Sequence, residues 1–145
     1  MLQEMKRVLK KDGVLHITTA NKWWPIEPHF KLPFLSYLPA KLADSYVRFT
    51  KRGTSYHDIR LPSYLQFRTM VERYFVVKDI TLDVLRDYKT YGMEKERGAF
   101  IVLVGIFLNF LHNLKRLPGA LDFINFIEFL LLNASLGWLF IATPR

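Results

Sequence analysis

From Gly98 to Leu114 the chain runs 17 residues without an Asp, Glu, Lys or Arg, and this run constrains the fold more than any other feature. As a helix it is about 25 Å long. A helix so poor in charge has to cover itself with protein or with lipid. Lys115-Arg116-Leu117-Pro118-Gly119 breaks the run, and the pattern predicts a second apolar helix over about 120–132, marked by Asp122 and Glu128. Three arrangements satisfy this pattern. The two helices pack on a sheet as ordinary core, they lie in one leaflet as a monotopic surface, or they cross the bilayer as a hairpin. The first helix barely reaches across a hydrocarbon core of about 30 Å. Asp122 and Glu128 weaken the second as a span.

The remainder of the chain has a different character. Residues 1–97 hold 18 Lys/Arg and 11 Asp/Glu, whereas 98–145 hold three and two. The net charge of +8 therefore belongs almost wholly to the first part. No basic run exceeds two residues and no nucleic-acid-binding motif is present, so the charge fits a solvated or lipid-facing surface better than a nucleic-acid groove. Half the residues are hydrophobic, which excludes a disordered chain, and 145 residues suffice for one small domain. The absence of cysteine excludes disulfides, thiolate metal sites and a cysteine nucleophile. It fits a reducing compartment. The charged start, Met1 to Gly13, lacks the apolar core of a signal peptide. The expected location is cytoplasmic, with the inner face of a membrane as the peripheral alternative.

Apolar residues at Leu2, Met5, Val8 and Leu9 predict a helix over roughly 2–10. Asp12-Gly13 is a turn signal, on the ground that glycine accepts positive φ without steric cost. Val14–Thr19 reads as a strand. Residues 20–40 hold Pro25, Pro28, Pro33 and Pro39, which forbid a continuous helix or central strand. They also hold Trp23, Trp24, Phe30, Phe34 and Tyr37, the composition of a lid or pocket wall. A short helix near 40–50, a loop over 51–60, a helix over 62–73 and a strand over 75–82 follow. Residues 83–97 read as a polar connection with some helix. Gly137–Ala142 reads as the last strand.

The run Glu4-Met5-Lys6-Arg7-Val8-Leu9-Lys10-Lys11-Asp12-Gly13-Val14-Leu15-His16-Ile17-Thr18-Thr19 resembles the segment entering the fifth strand of class I S-adenosylmethionine-dependent methyltransferases. There a helix ends in Arg-Val-Leu-Lys-Pro-Gly-Gly before a strand such as Leu-Leu-Ile-Thr-Thr. Lys11 and Asp12 stand in place of the Pro and first Gly, and Ala20-Asn21 in place of a common Pro-Asn. His57-Asp58-Ile59-Arg60, the helix after it and Phe75-Val76-Val77 resemble the stretch before the sixth strand, with Tyr74 where the family has Gly. Trp138–Ala142 resembles the closing seventh strand. Trp24-Pro25-Ile26-Glu27-Pro28-His29 with Leu32-Pro33-Phe34-Leu35 is similar to members acting on small molecules, saccharides or lipid-linked acceptors.

The resemblance implies an α/β chain: the C-terminal part of a Rossmann-like methyltransferase sheet, about three strands, with two added apolar helices. Residues 1–97 would form the C-terminal half of the methyltransferase domain, including a substrate loop over 20–60. Residues 98–135 would be an apolar insertion, possible membrane contact included, and 136–145 the closing strand. S-adenosylmethionine is the implied cofactor. The family holds it on a Gly-rich loop after the first strand, and no such loop occurs in these residues. The chain thus reads as a fragment that is inactive alone. The alternative is a non-catalytic membrane-associated protein built on a methyltransferase-like remnant.

His29 is the candidate base, because imidazole titrates near neutrality, with Glu27 to orient it or bind a substrate hydroxyl. Trp24, Asn21, His57 and Arg60 are candidate substrate contacts. The bland readings stand beside these: Glu27 and His29 as exposed loop residues, one Trp as a loop anchor, and His57 and Arg60 as a tie between loop and helix. His16 reads as a satisfied strand histidine, and His112 as interfacial or buried. No set of residues has metal spacing.

Overall fold

The turn at Asp12-Gly13 folds helix α1 (Leu2–Val8) back toward strand β1 (Leu15–Ala20). The reason for glycine there differs from the expected one. Gly13 does not have positive φ. Its N–H closes the turn onto the Lys10 carbonyl at 2.9 Å. A Cβ would lie 2.8 Å from Leu9 Cδ1 and 2.9 Å from that same carbonyl oxygen, so close approach selects the residue. The computed structural model describes residues 1–56, 59 and 61–145, with the side chains of 94–98 left out.

The described residues are mixed α/β, with a three-stranded antiparallel sheet and six α-helices among them. After β1 come β2 (Ile26–Glu27), β3 (Leu32–Pro33), a 3-10 turn (Leu35–Tyr37) and helix α2 (Ala40–Phe49). Helix α3 (Tyr64–Glu72), strand β4 (Phe75–Asp79) and helix α4 (Thr81–Arg86) follow. The apolar region forms α5 (Glu94–Leu114) and α6 (Leu121–Ala134), and β5 (Gly137–Pro144) ends the chain.

The last strand lies in the middle. The order is β1-β5-β4, with Leu15 opposite Ala142 and Ala20 opposite Gly137 on one side, and Phe75 opposite Pro144 and Asp79 opposite Phe140 on the other. Both pairings are antiparallel, so β1 and β4 run in the same direction. Their carboxyl ends, and the start of β5, therefore meet at one end of the sheet. The loop after β1 and the helices after β4 both leave from that end.

One face of the sheet carries the main core. Trp138, Phe140 and Ala142 alternate inward along β5, where they meet Leu2 of α1 and Tyr64, Phe67 and Val71 of α3. Phe67 stacks on Phe140 with ring centroids 4.8 Å apart. His16, Thr18 and Lys78 point to the solvated face, which is the alternation expected of a sheet covered on one side. His16 is thus exposed and not a packed strand histidine.

Strand β4 stops at Asp79, short of the expected Leu82. Asp79 Oδ1 accepts the Thr81 N–H at 2.8 Å, and such an Asx turn bends the backbone out of the extended strand. Ile80 N–H still reaches the Leu139 carbonyl at 3.1 Å, while the Thr81 hydroxyl accepts the Leu139 N–H at 2.9 Å. The first apolar helix also begins earlier than the uncharged run, at Glu94. Ile101, Leu108 and Leu111 of α5 and Ile124 of α6 are buried, and Lys115 Nζ meets Glu128 Oε2 at 2.6 Å across the hairpin.

A second, smaller core lies under the loop after β1. Leu32, Leu35, Ala43, Val47 and Tyr56 pack together, with Phe30, Tyr46 and Ile59 against them. Residues 20–56 are therefore a folded subunit of the chain and not an open lid.

Candidate functional site

The β2–β3 hairpin makes the site. Glu27 ends β2 and Leu32 begins β3, so Pro28, His29, Phe30 and Lys31 form a four-residue connection. The Lys31 N–H returns to the Glu27 carbonyl at 2.8 Å. Lys31 itself adopts φ 55, the left-handed conformation that lets so short a loop close. The Glu27 side chain then folds under its own loop. Its Oε2 accepts the Phe30 N–H at 2.7 Å and its Oε1 lies 2.6 Å from His29 Nδ1.

Glu27 is 1% exposed, whereas the His29 side chain is 53% exposed. An ionised carboxylate only accepts, so against it Nδ1 donates, and in the neutral imidazole that tautomer leaves the lone pair on Nε2. A carboxylate that fixes the tautomer while the far nitrogen faces outward is the arrangement of a general base. The bland expectation of two exposed loop residues fails for Glu27, since only its partner reaches solvent. Nearby, Tyr56 donates or accepts a buried hydrogen bond with Ser36 at 3.0 Å. Burial pushes the Tyr56 hydroxyl up from its ordinary pKa, the Ser36 bond opposes this, and the Glu27 charge adds to it.

The other expected residues fall elsewhere. Asn21 is 1% exposed. Its Nδ2 donates to the carbonyls of Asn133 and Ser135 at 2.7 and 2.8 Å, and its Oδ1 accepts the Trp23 N–H at 2.9 Å. Both N–H groups of its amide are committed to the end of α6, and its oxygen to the start of the loop. Trp24 is half-buried, its N–H on the Asn21 carbonyl at 3.1 Å. His57 and Arg60 lie outside the described residues. His112 is exposed, not buried, and its Nδ1 accepts from Arg86 Nη1 at 3.1 Å.

Sequence reasoning did not single out Trp23, Phe34 and Tyr37 as a group. Trp23 stands edge-on to Tyr37 at 5.5 Å, Tyr37 edge-on to Phe34 at 5.8 Å, and Lys22 Nζ lies 5.3 Å from the Trp23 ring. The Tyr37 hydroxyl donates to the Trp23 carbonyl. All three rings are exposed. The Phe34-to-Tyr37 spacing of three residues was the available signal.

A cleft of about 420 Å³ opens between α3, α4 and the α5–α6 hairpin. Arg68, Arg86 and Lys115 line it together with Asp79, Asp83 and Glu128. Arg86 Nη2 meets Asp83 Oδ1 at 2.9 Å. Arg68 Nε meets Glu72 Oε1 at 2.8 Å, and this bond raises the Arg68 pKa. Neither Glu27 nor His29 borders this cleft. Among the described residues no three His, Cys, Asp or Glu side chains are grouped to hold a metal ion, and no helix is long and apolar enough to cross a membrane.

The residues present do not fit S-adenosylmethionine. At the strand ends where open α/β sheets hold ligands, both N–H groups of the Asn21 side chain are taken up by the end of α6. Among the described residues no buried side-chain polar atom waits for a partner. The sequence offers no Gly-rich turn for a cofactor to approach. The chain matches no protein family, and no curated protein or solved structure matches it.

Proposed function

We propose that this chain supplies the acceptor side of an S-adenosylmethionine-dependent methyltransferase, with the cofactor held by residues outside these 145. The observation that carries the reading is the Glu27–His29 pair on the loop leaving the carboxyl end of β1. His29 Nε2 takes the proton of an acceptor hydroxyl or amine as that group becomes nucleophilic. Glu27 is a positioning residue that holds the imidazole and stabilises its charged form. The resemblance of β1, β4 and β5 to three strands of that family's sheet supports the same reading, since the three are neighbours here. No step is assigned to the cofactor itself.

Two observations favour a second reading, a non-catalytic membrane-associated scaffold. The prominent cleft lies away from His29, and Asn21 serves the fold. The two readings separate in a lysate that provides donor-binding polypeptides. Overexpressed chain, labelled S-adenosylmethionine and the endogenous pool of lipid, saccharide and small-molecule acceptors are incubated together. Label incorporation is expected to rise with the native chain, and to fall by about a hundredfold in the added component for His29→Ala. Equal incorporation with both would leave the scaffold reading standing. Calorimetric titration of the chain alone is expected to show no micromolar binding of the cofactor.

A further inference from the structure

The loop after β1 carries a surface that its own core does not use. Trp23, Phe34 and Tyr37 stand edge-on to one another and are 50%, 59% and 42% exposed. The most exposed of them is held in a costly conformation. Phe34 has φ 56, which a bulky residue rarely adopts. Its N–H on the Pro25 carbonyl at 2.6 Å and its carbonyl under the Tyr37 N–H at 3.1 Å fix it there. Leu32 and Leu35 on either side are buried, so the strain displays the Phe34 ring to solvent and does not bury it. Strain spent in this way marks a surface in use.

Charge around the rings has one sign. Between Ala20 and Ala43 the charged residues are Lys22, Lys31, Lys41 and Glu27. Glu27 is 1% exposed, with its oxygens on His29 and the Phe30 N–H. The next acid, Asp44, is half-buried and accepts the Tyr56 N–H at 2.6 Å. Lys22 Nζ lies 5.3 Å from the Trp23 ring. Lys31 is three residues before Phe34 and Lys41 four after Tyr37, so their Cα atoms stand within about 11 and 14 Å of those residues. Both lysines are exposed. Among the described residues no ion pair engages any of the three.

We infer that this aromatic, lysine-flanked surface docks on an anionic phospholipid membrane. Indole and phenol rings settle at headgroup level, and each lysine beside an anionic leaflet strengthens binding by about fivefold. Acidic headgroups supply the charge that the loop itself lacks. A second copy set on the same surface by a two-fold axis would place lysine against lysine. A single-stranded nucleic acid has the right charge, but the ring planes stand at 68° and 71° to one another, so no two lie parallel as a slot for a base. Leu38 and Leu42, also exposed, suit the acyl region and have no counterpart on a nucleotide. The inference holds under either functional reading, because it uses neither a base nor a cofactor.

Vesicle flotation with the full chain tests it, using phosphatidylcholine vesicles with and without phosphatidylglycerol. The native chain is expected to float with the anionic vesicles, and far less with the neutral ones. Lys22→Gln, Lys31→Asn and Lys41→Gln together are expected to lower the anionic partition coefficient by about a hundredfold. Phe34→Asn separates display from structure. Asparagine accepts the left-handed conformation, so this variant is expected to melt no lower than the native chain while its partition coefficient falls by about tenfold or more. The inference is overturned if the native chain stays out of the floating fraction, or floats equally with neutral vesicles. It is overturned if the triple lysine variant floats as the native chain does, which would place the contact elsewhere on the molecule. A Phe34→Asn chain that melts lower yet floats as well as the native one overturns it too, since the ring would then serve the fold. Tighter binding to a single-stranded oligonucleotide than to the anionic vesicles would assign the surface to nucleic acid instead.

Discussion

Tyr64 joins the main core to the cleft beneath the hairpin. Its ring lies 5.6 Å from Trp138 and 6.3 Å from Phe140, and its hydroxyl donates to Asp79 Oδ2 at 2.8 Å. Burial, with the neighbouring Asp79 carboxylate, pushes the hydroxyl up to about 12 from an ordinary value of 10.0. The unfolded chain loses that proton near pH 10 and the folded chain keeps it until about 12. The contribution is therefore whole below pH 10 and lost as pH rises through 12. Tyr64→Phe keeps the ring and removes the proton. It is expected to cost about 1–2 kcal/mol at neutral pH. Urea titrations should then show the gap between the two proteins closing across that alkaline window, and a gap constant with pH would refute the assignment. At this scale the sequence was half informative. Glu27 and His29, two residues apart on a proline-rich loop, are brought together as the sequence suggested. Nothing local told that Glu27 is buried, because its surroundings include residues distant in sequence such as Tyr56, 29 residues away. The structural role of Asn21 was hidden for the same reason, its partners being Asn133 and Ser135.

Helices α4 and α5 touch closely at Gly105. A Cβ there would lie 2.4 Å from Tyr88 Cδ1 and 3.2 Å from the Leu85 carbonyl oxygen, and Tyr88 is buried. Alanine favours a helix interior over glycine by about 1 kcal/mol, yet overpacking a closed contact costs about 1–3 kcal/mol. Gly105→Ala is therefore expected to destabilise the chain, by about 1–2 kcal/mol in urea unfolding. Adding Tyr88→Leu should recover part of the loss, since the clash is with the ring. A stabilised Gly105→Ala protein would mean that the helices are not in contact there. Element boundaries were legible where periodicity or a local cap wrote them. Ser63 and Gln66 form a reciprocal cap, Gln66 Oε1 accepting the Ser63 N–H at 3.0 Å, and α3 begins at Tyr64, two residues after the expected start at 62. The uncharged run from Gly98 located α5 but not its start, because absence of charge measures the apolar part of a helix and Glu94–Arg97 continue it with charged residues. The end of β4 was overrun because Ile80 and Leu82 suit a strand as well as Phe75 and Val76 do, and the turn made by the Asp79 side chain ends it.

For the whole molecule the informative fact is that β5, the last strand made, is the central one. Strand order was not legible, since β1 and β5 are separated by more than 100 residues and nothing in either names its partner. The order fixes which backbone groups are covered. Along β5 successive N–H groups alternate between β1 and β4, so both sets are engaged. Along β1 one set faces β5 and the other faces the outer edge of the sheet. Hydrogen exchange of the isolated chain should read this directly. Amides of β5 from Trp138 to Ala142 are expected to be uniformly slow, and those of β1 from Leu15 to Ala20 to alternate slow and fast with a period of two. The proposed methyltransferase role places further strands on that outer edge of β1. Association with the donor-binding polypeptide should then slow the fast set alone and leave the β5 amides unchanged. Uniform protection of β1 in the isolated chain would show the edge already occupied by a second copy, and continued alternation in an assembly active in methyl transfer would show that the sheet does not extend through β1. The same exchange data test the fold independently of the activity, because alternation in β5 would contradict its central place.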